Sequence, residues 1–166
     1  MALTTAQQAT LKAAILADPV LDAFPNTLDG AFGISVELNK QFSPDFTVWK
    51  TDVSVIKIGD NFDGAELANL TTAEANRLQT IAAYSVSGFS EEGINPSLID
   101  RRLFFDDVFS GAQGATTRAN LAALWRRIAT YGEKIFASGT GTNASPALLD
   151  IEGNISYPDV FVARNS

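Results

Sequence analysis

The chain has 166 residues, 46% of them hydrophobic, with 12 basic and 19 acidic side chains and a formal net charge of −7. That hydrophobic fraction excludes a disordered chain, and the length suits one domain that buries a core without staples. With no cysteine and no histidine, disulfides, thiolate metal sites and every mechanism with a histidine base are excluded, and the acidic balance disfavours nucleic acid and anionic membranes.

The first predicted helix is capped by Thr5, with Gln8 completing a capping box, and Pro19 stops it after Asp18. Leu11, Ile15 and Leu16 give it a modest apolar stripe. Asp18-Pro19 leads into a short helical turn, Val20 to Phe24, which Pro25-Asn26 breaks. A second helix starts at Asp29. Phe32 and Val36 lie four apart on it, beside a ridge of Ile34, Leu38 and Phe42, and Ser43-Pro44 ends it. Phe46 to Trp49 reads as extended. Val53, Val55 and Ile58 fit a strand or a short helix around Ile56, and the short helix is preferred.

Thr71 and Glu74 form the capping box of a third helix, whose face carries Leu78, Ile81, Ala82 and Ser85. Gly88 and Gly93 bracket a loop. Asn95-Pro96 then reads as cap and first residue of a helix that carries Leu98, Ile99, Leu103, Phe104, Phe105, Val108 and Phe109 and stops near Gly111. Apolar residues nearly surround that helix, so it must be buried on most sides, by this chain or by another. The strongest predicted helix runs from Thr116 to Ser138. Leu121, Leu124, Ile128, Tyr131 and Ile135 share one stripe on it, and Gly139 caps it.

Thr140 to Pro146 is a polar, Gly-rich linker. Beyond it, Leu148 to Ile151 reads as a short extended segment, and Ser156 with Asp159 caps a last short helix from Tyr157 to Ala163. Leu148, Leu149, Ile151, Ile155, Tyr157, Val160, Phe161 and Val162 make this segment too apolar for a free tail; it must dock on the body or on a neighbour. The expected fold is therefore mainly α. It is a single helical domain of about five to six helices over residues 1–138, followed over 139–166 by a linker and an extended C-terminal arm. Met1 to Gln8 has neither the basic nor the apolar region of a secretory signal, which predicts synthesis and use in the cytosol.

No pattern carries catalytic chemistry. Gly139 to Thr142 resembles a phosphate loop, but it follows a predicted helix where such loops precede one, and no Gly-Lys-Ser/Thr is present. The stretch from Asp60 to Glu66 resembles a calcium loop. Aligned on Gly64, it places Gly59 and Leu70 at the two anchor ligand positions, which leaves only an irregular site at Asp60, Asp63 and Glu66 as an alternative to a solvated turn. The pairs Glu91-Glu92 and Asp106-Asp107 are adjacent in sequence. Neighbouring helix residues point about 100° apart and do not by themselves face each other across a cleft. No catalytic residue, cofactor or metal ligand is expected.

Two arginine doublets sit beside large aromatics. Arg101 and Arg102 precede Phe104 and Phe105, and Arg126 and Arg127 follow Trp125. Arg and aromatic residues are enriched in protein interfaces, because a guanidinium makes forked contacts and a ring buries much area. With Tyr157 and Phe161 of the arm, these residues are candidate interface positions. The bland alternative is that the arginines pair with acids of their own chain and the aromatics fill the core.

A resemblance then adds a setting. The run Arg118 to Phe136, the stretch Ala137 to Pro146, Glu152-Gly153-Asn154-Ile155-Ser156 and Asp159-Val160 resemble the C-terminal part of small uncharacterised structural-module proteins of tailed bacteriophages. Leu3 to Gln8, Asp18-Pro19, Asn26 to Gly30 and Val48 to Thr51 are similar to the start and middle of the same group. The resemblance touches about half of the chain, through caps, loops and packing positions that carry no chemistry. It implies a virion structural subunit assembled in the host cytoplasm, at the head–tail connector, neck or tail, with a capsid decoration protein as the alternative. Its partners would be copies of itself and other virion proteins, not a membrane and not nucleic acid. The rivals from other classes are a carboxylate-based hydrolase and an acidic binder of a host protein.

Overall fold

The computed structural model describes residues 2–86 and 93–166, the side chains of 81–86 excepted. The chain is mainly α-helical. Its contacts divide it into two compact units: residues 1–48 with 128–166, and residues 49–127 between them. The boundaries thus fall at 48/49 and 127/128, whereas the sequence reading drew one at 138/139.

The first unit begins with helix α1 (Thr5–Ala17). Its cap is Thr4 and its capping-box partner Gln7, one residue earlier than the sequence reading placed them. Asp18 then caps α2 (Pro19–Asp22), accepting from the amides of Val20 and Leu21. Thr27 caps α3 (Leu28–Leu38), which stops short of Ser43-Pro44. These helices bury Leu11, Ile15, Leu21, Ala31, Ile34 and Leu38 in one cluster. Apolar residues at three- and four-residue spacing put each buried set on one helix face.

The last helix of the described chain, here called αC (Tyr157–Asn165), is capped by Ser156 as expected. It packs against α1 and α3 and inserts Val160 and Ala163 into the same cluster. The expected arm therefore docks on its own chain. Polar ties hold the approach to αC. The side-chain amide of Asn39 both donates to and accepts from the backbone of Ile155, at 3.0 and 2.9 Å. The buried Glu133 carboxylate accepts from the Gly153 amide at 2.9 Å. Arg164 donates to the carbonyls of Phe24 and Pro25.

The long helix expected over Thr116 to Ser138 is not continuous. Helix α8 (Ala115–Leu124) ends at Trp125, strand β2 (Arg126–Ile128) follows, and a new helix α9 (Tyr131–Ile135) starts under a capping box of Thr130 and Glu133. Strand β2 pairs with β1 (Thr47–Trp49), so backbone hydrogen bonds to a distant segment replace those of a helix. Strand β3 (Ala137–Ser138) pairs antiparallel with β4 (Leu148–Leu149), with Ala137 opposite Leu149. Gly139 is thus the residue after a strand and not a helix cap. Its φ of 123° lies in the left-handed region that favours glycine.

The second unit contains α4 (Val55–Asp60), α5 (Gly64–Ala68), α6 (Thr72–Val86), α7 (Ile99–Val108) and α8. The short helix around Ile56 and the Thr71–Glu74 capping box are as the sequence predicts. Asn95-Pro96 does not start α7. The Asn95 side chain accepts from the Ser97 amide and makes a turn, and the helix begins at Ile99. The core of this unit is aromatic, with Phe105, Phe109 and Trp125 buried and Phe62, Phe104 and Trp49 packed against them. The helices number ten among the described residues, more than expected, because α2, α4, α5 and α9 are one- or two-turn pieces. Among the described residues no helix is long and apolar enough to cross a membrane.

Candidate interaction surface

Of the candidate interface residues, the aromatic ones of the second unit serve its core. Phe105 and Trp125 are buried, their rings 5.6 Å apart, and Phe104 is half-buried edge-on to Phe105. Arg102 stacks 3.9 Å over the Trp49 ring and donates to the carbonyls of Pro96 and Ser97. Arg126 donates to the Ala122 carbonyl near the end of α8. Arg126 and Arg127 lie half-buried on β2, not on a helix. Arg101 is exposed on α7. Phe161 is half-buried against the first core, and of the candidate aromatics Tyr157 alone is exposed. Of the apolar residues expected to need cover, this chain buries Phe105, Val108, Phe109, Ile151, Ile155 and Val160, and leaves Leu98, Ile99, Leu103, Leu148, Tyr157 and Val162 about half exposed.

One uncovered apolar stripe of the first unit lies on α3. Leu28, Phe32 and Val36, spaced four apart, are 56%, 59% and 43% exposed. Residues four apart on a helix stand one above the other, so the three form a stripe along the side opposite the buried Ala31, Ile34 and Leu38. Tyr157 of αC, 47% exposed, meets Phe32 edge-on at 6.3 Å between ring centroids and widens the stripe. Asp29 and Glu37 lie on the same helix at its margin, Glu37 paired with Lys40 at 2.6 Å. The periodicity of Phe32 and Val36 is visible in the sequence. Which side of this doubly apolar helix stays uncovered is set by where αC packs.

The polar groups suspected of chemistry are committed to structure. Asp63 caps α5 through the amides of Ala65 and Glu66. Glu66 reaches the start of α8, accepting from the amides of Thr116 and Thr117 at 2.8 and 2.7 Å. No side chain of α8's own cap does this, so Glu66 supplies its negative charge and acceptors from another helix. Desolvation acts to raise the Glu66 carboxyl, but the hydrogen bonds from Thr117 and Thr116 outweigh it and hold it at about 2. Asp106 and Asp107 are exposed, Asp107 against Arg77. Glu91-Glu92 lies outside the described residues. Among the described residues no three carboxylates gather into a metal-binding group.

In the first unit, the Tyr131 hydroxyl donates to Asp18 at 2.6 Å. That bond helps lower the Asp18 carboxyl, and desolvation together with the Asp18 charge pushes the phenol up to about 12. A phenol so far from neutral pH fixes structure rather than moving protons.

Comparison of the chain with protein-family models, with curated proteins and with solved structures gives no match in any of the three.

Proposed function

We propose that the chain is a non-enzymatic structural subunit of tailed-bacteriophage virions, a connector, neck or tail component that works through contacts between subunits. The observation that carries this reading is the Leu28–Phe32–Val36 stripe with Tyr157. Contiguous apolar surface centred on aromatics and edged by charge is the composition of a protein-binding face. The phage-like segments at both ends of the sequence supply the setting.

The test is mass spectrometry of purified particles, followed by a phage carrying Phe32→Glu. The wild-type chain is expected in stoichiometric amount in the particle, and the variant is expected to fold and to be lost from it. A chain found in infected-cell extract but absent from particles overturns the reading. Deletion of Thr140 to Ser166 would not discriminate, since it removes Val160 and Ala163 from the core of the first unit.

A further inference from the structure

We draw no further inference here: the strongest candidate, the apolar cavity of about 450 Å³ among α4, α5, α6 and α7 of the second unit, lined by Ile58, Phe62, Leu67, Leu70, Leu78 and Phe105, carries nothing, because nothing in the structure shows what covers it.

Discussion

The two units solve the burial problem differently. The second is a continuous segment, residues 49–127, whose core is built around tilted and edge-on aromatics. The first is closed from two separated segments, and its aliphatic core is incomplete until αC lies between α1 and α3. Continuity makes a unit self-sufficient. Closure by a distant helix makes stability depend on a few long-range contacts whose loop entropy must be overcome first.

Removing αC is the harshest way to break this contrast. Deletion of residues 157–165 is expected to abolish hydrogen-exchange protection around Leu11, Ile15 and Ile34 while the Phe105–Trp125 core keeps its protection. Equal loss in both units would show that the second is not self-sufficient. Phe105→Ala should do the converse, destabilising the second unit by about 3–5 kcal/mol through lost burial and a cavity, as read from its denaturant midpoint. Protection in the first unit should persist.

Acid gives a milder probe. The Glu66 carboxyl is held at about 2 in the folded chain against an ordinary value of 4.5. A depressed folded value contributes stability that is fully present above the unfolded value and is lost as pH falls through the folded one. The second unit should therefore weaken between about pH 4.5 and about pH 2. Glu66→Gln should flatten that part of the profile, and an unchanged slope would remove the helix-capping role. The smallest effect on stability is expected for Phe32→Glu, within about 0.5 kcal/mol, because the side chain is exposed. A larger loss in thermal unfolding would mean that the α3 stripe is packed, and not free for a partner.

The sequence makes local signals legible and hides long-range ones. Capping by Thr71 with Glu74 and by Ser156 with Asp159 depends on neighbours three residues apart, and both stand as read. Residues 116–138 carry a helical stripe over a helix, a strand and another helix. The Thr130–Glu133 capping box that restarts the chain lies inside that stripe, where the unbroken periodicity masks it. What breaks the helix is non-local: the Lys50 amide donates to the Trp125 carbonyl at 2.9 Å, and the Phe42 amide to that of Ala129 at 2.9 Å. Composition cannot register such partners. The same limit applies to the surface. Arg102 and Trp125 have the chemistry of interface residues, yet folding spends them internally, whereas Phe32 is left outside because αC covers the other side of α3.

The late arrival of αC has a consequence for synthesis. Chains fold as they leave the ribosome, with early segments emerging first. Residues 49–127 can complete their core while translation continues, but α1 and α3 must wait with apolar sides open until αC has emerged. A nascent or prematurely terminated chain therefore displays sticky helices to chaperones and proteases. Only a chain translated through αC acquires a sealed first unit, so the order of synthesis leaves a truncated chain open to quality control.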